Sequence, residues 1–304
     1  KGIYHLGKDL VRLEQDASGV TAHFADGSSA SGDVLVGADG FRSVVRGALL
    51  PGEDFVYSGY VGWRGLADEA RFSPEVREEV VNTFSFFLPP GEQIIGYPAV
   101  GQSHDLRPGQ RAWNIVWYRP CDHDTELKRL LTDETGHTHT ISIPPPLIAK
   151  DVIAELRTDA ERLLPPQFRE ALSLIEQPFF QPIYDFAPST MAVGRAALLG
   201  DSAFIVRPHT GAGIVKAAMD AKALAIALDQ AGDVATALAR FNAERHPVGC
   251  MFVAQAQKLG SYIRRDSYPS ETARQVALLN AHPQFLMGET ALLGFARRKL
   301  PDLV

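Results

Sequence analysis

The stretch that decides the reading is Ala197-Leu-Leu-Gly200-Asp201-Ser-Ala-Phe204-Ile-Val-Arg207-Pro208-His209-Thr210-Gly211-Ala212-Gly213-Ile-Val-Lys-Ala-Ala-Met-Asp220. The apolar run from Ala196 to Leu199 is long enough for a buried strand, and Gly200-Asp201 ends it. Pro208 keeps the following loop from turning helical early, while Gly211 and Gly213 let the backbone approach a partner closely. Ile214, Ala217, Ala218, Ala221, Ala225 and Leu228 then recur at helical spacing, which predicts a helix stopping near Gly232. The expected unit is a strand, an acidic turn, a glycine-rich loop and a helix N-terminus. Unpaired N–H groups and the positive end of the dipole at such a terminus suit an anion or a polarised carbonyl. Asp201, at the carboxyl end of the strand, can only accept hydrogen bonds and suits a ribose hydroxyl. An ordinary strand–loop–helix connection using glycine to turn is the plain alternative, because short glycine patterns are weak signals.

The surrounding composition narrows the class. The 304 residues can bury a large core in one or two domains. The formal net charge of -6 gives a nucleic-acid partner no electrostatic support. No apolar run reaches the length of a membrane span. Cys121 and Cys250 match neither a disulfide framework nor a zinc spacing, so reduced thiols in a cytoplasm are expected and no metal is. His137 and His139 lie in a polar stretch that reads as a solvated loop. The first residue is Lys1, and the sequence is expected to begin inside a longer protein.

Outward from the opening stretch the pattern repeats. Leu10 to Leu13 and the alternating Val20, Ala22 and Phe24 read as strands, and Asp26-Gly27 as a hairpin turn. Val34-Leu35-Val36 is a compact strand running into Gly37-Ala38-Asp39-Gly40-Phe41-Arg42-Ser43-Val44-Val45-Arg46, a second strand ending in an acidic turn before a helix. After Leu50-Pro51-Gly52 the character changes. Aromatic and β-branched runs from Tyr57 to Tyr118 predict an antiparallel sheet, whose aromatic residues either form core or line a pocket. Helices are expected over 151–164 and 168–175, a returning strand over 179–185, and a hairpin-like turn at Gly194-Arg195. Further helices are expected over 234–245, ending before Pro247, then 249–264, 272–279 and 290–299.

Taken together, the two acidic turns and the sheet between them resemble the flavin-dependent aromatic hydroxylases, the p-hydroxybenzoate hydroxylase fold. Val36 to Arg46 is similar to that family's Asp-Gly fingerprint, and Leu199 to Gly213 to its Gly-Asp fingerprint. The Tyr60-Val-Gly-Trp63-Arg64-Gly65 run and Phe204, where most of the family has His, most resemble the 2,6-dihydroxypyridine 3-monooxygenase branch. A proton-relay role at this position therefore does not carry over. The resemblance implies an α/β fold with an α+β insertion: an incomplete FAD-binding Rossmann-like domain over 1–50 and 188–235, with its N-terminal Gly-x-Gly-x-x-Gly part absent. It further implies an inserted, mainly antiparallel substrate-binding sheet over 51–187 and a C-terminal helical region over 236–304. The implied activity is an FAD- and NADH- or NADPH-dependent monooxygenase that hydroxylates a small aromatic or N-heteroaromatic ring with O2 through a C4a-hydroperoxyflavin. A reductase or epoxidase of the same fold, or a cofactor-free aromatic-binding module, remains open. By resemblance Asp39, Gly40, Arg46, Gly200, Asp201, Pro208, Thr210, Gly211, Ala212 and Gly213 would hold FAD. Pro208, His209 and Gly211 would position its ring. Tyr97, Trp117, Phe204, Arg207 and His209 are the candidates against the substrate. No nucleic-acid or membrane partner is expected, and a homodimer is allowed.

Overall fold

The computed structural model describes residues 3–101, 104–264 and 268–290. Two compact units divide the chain: Lys1–Val56, Tyr184–Gly260 and Leu286–Val304 form one, and Tyr57–Ile183 with Ser261–Phe285 the other.

The first unit opens with a three-stranded antiparallel meander, β1 (Leu10–Gln15), β2 (Val20–Phe24) and β3 (Ser29–Gly32). Gly27, at a φ of +82°, turns the β2–β3 hairpin as Asp26-Gly27 predicts. Strand β4 (Leu35–Gly37) leads into the short helix α1 (Val44–Leu49).

The second unit is built on strands β5 (Val56–Asp68), β6 (Ser85–Phe87), β7 (Gln93–Ala99), β8 (Ala112–Pro120) and β9 (Phe179–Asp185), ordered β6-β7-β8-β5-β9. Helices α2 (Pro74–Val80), α3 (Lys128–Leu130), α4 (Lys150–Leu163) and α5 (Pro166–Leu174) fall between the strands. Alternation sorts the sheet into two faces. Val61, Trp63, Trp113, Ile115 and Trp117 pack with Leu156, Phe168 and Phe180 into the helix-covered core. Tyr60, Arg64, Asn114, Val116 and Tyr118 occupy the intervening positions and so the other face.

Back in the first unit, β10 (Ala192–Val193) and β11 (Ala196–Leu198) form the hairpin turned by Gly194, and β11 pairs parallel with β4. Helix α6 (Gly213–Gln230) follows, then α7 (Val234–Leu259). Their core joins Leu198, Phe204, Leu224, Ala227, Leu238 and Phe241. Helices α8 (Glu271–Asn280) and α9 (Pro283–Glu289) complete the described chain. Apart from Thr290, the helix expected over 290–299 lies outside the described residues.

One expectation needs correction. Helix α7 runs through Pro247 as one 26-residue element instead of ending before it. Pro247 and Ala243, whose carbonyl loses its helical donor, are both exposed, so water can meet the freed carbonyl. The apolar positions whose spacing marks α6 do not mark its buried face: Ile214 is 88% exposed, and Ala218, Ala221 and Ala225 are exposed too. The buried side chains are Lys216, Asp220, Ala223, Leu224 and Ala227.

Candidate functional site

Parallel pairing sets Leu198 opposite Gly37, so both acidic turns leave the carboxyl ends of adjacent parallel strands. Open α/β sheets bind ligands at that edge. The two turns are also tied to each other. Ser202 Oγ donates to the Gly37 carbonyl at 2.5 Å, and Leu199 N to the same oxygen at 2.9 Å. Arg46 is 5% exposed and donates to Phe41 O at 2.6 Å, Ser202 O at 3.1 Å and Asp201 O at 3.2 Å. Its guanidinium stacks over Phe186 at 4.9 Å. Burial pushes its pKa down from the ordinary arginine range. Arg46 thus acts on the turns through their backbone.

Asp39 is engaged locally. One carboxylate oxygen accepts from Val44 N and Val45 N at 2.8 and 3.1 Å, and the other accepts from Ser43 Oγ, which caps Arg46 N. A carboxylate at this terminus satisfies otherwise orphaned donors and complements the dipole. Gly40 supplies the turn at a φ of +77°.

Asp201 differs. It is exposed, and no hydrogen bond or ion pair engages its carboxylate among the described residues. Beneath it lies a buried charge network. Lys216 Nζ donates to Gly200 O at 2.7 Å, and Asp220 Oδ2 accepts from Gly200 N at 3.2 Å. Arg245 Nε donates to Asp220 Oδ1 at 3.0 Å, and Lys216 Nζ lies 3.4 Å from Asp220 Oδ2. Both backbone groups of Gly200 are therefore held by α6. Gly200 has a φ of +59°, and a Cβ there would come within 3.1 Å of the Ala217 Cβ. Burial lowers the Lys216 pKa, opposed by the Asp220 and Asp201 carboxylates. The sequence signal for this network was the four-residue spacing of Lys216 and Asp220, hidden among alanines.

The loop that follows turns its side chains inward. His209 is 3% exposed and Thr210 1%, whereas Gly211 and Gly213 are exposed. Gly211, at a φ of +62°, closes the single turn Pro208–Thr210. Ala212, buried against Phe252, precedes α6, and no side chain caps that helix. Ligand contact from this loop therefore falls on exposed backbone at the start of an 18-residue helix. An exposed, unengaged carboxylate at a strand end and an uncapped helix N-terminus fit the ribose or ribityl hydroxyls and the polar edge of a flavin.

The candidates against a ring substrate fare differently. Phe204 is core: it is fully buried, and a Cβ on Gly249 of α7 would sit 2.2 Å from its ring. Trp117 is also fully buried, in the helix-covered core; its Nε1 donates to Glu92 at 2.7 Å and Arg119 stacks on it at 4.5 Å. Both aromatic signals came from core packing. Arg207 holds Asp185 bidentately, with Nε at 2.9 and 3.0 Å from the two oxygens and a terminal nitrogen at 2.6 Å. Gln257 joins that carboxylate at 3.3 Å. Tyr97 lies on the sheet face away from the helices, stacked on Phe84 at 5.1 Å. No helix among the described residues is long and apolar enough to cross a membrane.

Residues 57–185 match the family described as FAD binding domain-like. The chain is 30% identical over 261 residues to a 2,6-dihydroxypyridine 3-monooxygenase of Paenarthrobacter nicotinovorans, covering 86% of this chain and 64% of that protein. The chain therefore spans about two thirds of that relative's length. The solved 2,6-dihydroxypyridine-3-hydroxylase of Arthrobacter nicotinovorans superposes with a TM-score of 0.80 at 29% identity, covering 89% of this chain and 68% of that one. Klebsiella pneumoniae HpxO, crystallised with FAD and uric acid, gives a TM-score of 0.69 at 25% identity over 98% of this chain and 65% of its own.

Proposed function

We propose that this chain, which has the fold of the FAD-dependent aromatic hydroxylases, is the larger part of an FAD- and NAD(P)H-dependent monooxygenase. Its substrate is a small, planar, hydroxylated aromatic or N-heteroaromatic ring of the 2,6-dihydroxypyridine kind. One observation carries the cofactor half of this reading. Arg46 and the β4–β11 pair draw both acidic turns to one strand edge, beside an uncapped α6 with exposed Gly211 and Gly213. The substrate half follows the relatives named above.

FAD, when bound, supplies the redox chemistry that lets oxygen enter the ring. The chain's own residues do the positioning. Asp201 accepts from a sugar-chain hydroxyl. The backbone N–H groups of the first turn of α6, from Gly213 onward, would face the negative charge that FAD carries when reduced, reinforced by the α6 dipole. Arg46, Lys216 and Asp220 are positioning residues that fix the Gly200-Asp201 turn through its backbone. Asp39 serves by organising the N-terminus of α1, which orients Arg46. The first unit is accordingly the cofactor-binding body and the sheet of the second the ring-binding one.

The test combines a visible spectrum with an oxygen electrode. The purified protein should carry or take up FAD. With NADH or NADPH and 2,6-dihydroxypyridine it should consume oxygen and return a product heavier by one oxygen atom. Tight FAD binding with an epoxidised alkene and no ring hydroxylation would move the assignment to an epoxidase. Failure of the full-length protein to bind FAD at all would end the reading.

A further inference from the structure

The second unit holds a cavity of about 550 Å³ between one face of α4 and the helix-covered side of the sheet. Every residue lining it belongs to this unit, so the cavity is complete within one compact body. Its size falls in the range of small-molecule pockets, roughly 300–1,000 Å³. Val61, Trp63, Leu130, Val152 and Leu156 supply an apolar floor. The charged groups around that floor are paired, with one exception. Glu92 accepts from Trp117 Nε1 at 2.7 Å and from Arg119 Nε at 3.3 Å. Arg119 also reaches Asp159 at 2.7 Å, and Arg162 donates to the same carboxylate at 2.9 Å. Arg129 donates to Glu155 at 2.5 Å, and Glu126 accepts from Asp122 N at 2.9 Å.

The exception is Arg264. No hydrogen bond or ion pair engages its guanidinium among the described residues. Of its three nitrogens only Nε is both inaccessible and unpaired, which leaves the terminal pair open to a ligand. The guanidinium lies over the Tyr268 ring at 4.7 Å, a contact that holds the cation without neutralising it. Its backbone is pressed onto the turn at Gly91. A Cβ there would come within 2.5 Å of the Arg264 carbonyl, and Gly91 takes a φ of +69°. An unneutralised cation is thus fixed at the edge of an apolar cavity.

We propose that this cavity binds a small aromatic monocarboxylate, whose ring rests on the Val61–Trp63–Leu156 floor and whose carboxylate pairs with Arg264. One open guanidinium calls for one anion, and its fork matches the two oxygens of a planar carboxylate. A dianion suits the site less, because the Glu155 and Asp159 carboxylates repel a second negative charge. The inference is independent of the hydroxylase reading, since no residue of the cavity belongs to the cofactor-binding unit.

Calorimetric titration of benzoate, acetate, toluene and benzylamine into the purified protein, supplied with FAD, tests this alongside Arg264→Gln and Arg264→Glu. The parent should bind benzoate at least about tenfold more tightly than acetate, which lacks the ring, or toluene, which lacks the charge. Arg264→Gln should weaken benzoate binding by about tenfold and leave toluene binding unchanged. Arg264→Glu should reverse the charge preference, so that benzylamine binds more tightly than benzoate. Arg264 is half-buried, so the ligand-free Tm of both variants should stay near that of the parent, while the upward shift that benzoate gives the parent is lost. A parent that binds benzoate no better than acetate or toluene would overturn the assignment. So would a benzoate dissociation constant in Arg264→Gln within about twofold of the parent, or an unreversed preference in Arg264→Glu. Displacement of benzoate by 2,6-dihydroxypyridine would place it at the ring site and overturn the assignment as well. Failure of the hydroxylase reading would show separately, as absent FAD or absent NAD(P)H-dependent oxygen use.

Discussion

Replacing Asp220 by alanine tests whether the charge network under the Gly200 turn holds this region together. The Asp220 side chain is 2% exposed and sits between Lys216 and Arg245, 1% and 5% exposed. It also accepts from Gly200 N at 3.2 Å. Asp220→Ala leaves two buried cations without their shared carboxylate and one backbone N–H without an acceptor. Removing one partner of a buried pair costs about 3–5 kcal/mol. That is a large part of the roughly 5–15 kcal/mol by which native domains are stable. Urea unfolding followed by far-ultraviolet circular dichroism reads the loss as a lower midpoint. Lys216→Met in the same background removes one uncompensated cation and should recover part of it, with a coupling of about 1–3 kcal/mol. The pH dependence adds an independent check. Burial holds Lys216 below its ordinary 10.5, so between the lowered value and 10.5 the unfolded chain keeps a proton that the folded one has released. Stability contributed at this position therefore rises with pH across that window, and Lys216→Met lacks the rise. A loss under about 1 kcal/mol in Asp220→Ala, with no coupling to Lys216→Met, would refute the network as an organising element.

Asp201→Ala should behave oppositely: stability within about 0.5 kcal/mol of the parent, since the carboxylate is exposed and unengaged, with FAD affinity lowered by about 1.5–3 kcal/mol in a fluorescence titration. Arg207→Ala should lower unfolding free energy by about 3 kcal/mol, because Asp185 would keep its buried charge without the bidentate partner. An unchanged denaturation midpoint would return Arg207 to the list of ligand contacts. Burial pushes the Tyr118 phenol up to about 12 from 10.0, so between those values the unfolded chain loses a proton that the folded one keeps, and stability falls as pH rises. Tyr118→Phe should flatten that alkaline limb by roughly 3 kcal/mol across the two units, measured by unfolding at pH 9 and pH 12.

The sequence alone determined the local units. Short apolar runs ending in Asp39-Gly40 and Gly200-Asp201 had to be strands meeting turns, because glycine takes the left-handed backbone that both turns use. Aromatic alternation announced the inserted sheet, since a period of two is fixed by backbone geometry whatever the neighbours. The side-chain assignments were decided elsewhere. Helix α6 is small and apolar nearly all round, so its periodicity marked a helix without saying which face is inward; packing on Gly200 selected the face bearing Lys216 and Asp220. Phe204 and Trp117 looked like ring contacts because aromatic residues suit both cores and pockets, and only the neighbours, Gly249 for one and the helix-covered core for the other, distinguish the two. Arg46 reaches carbonyls 155 and 156 residues away. Contacts of that sequence separation leave no periodic trace in the chain, because strand pairing sets them after the local elements have formed.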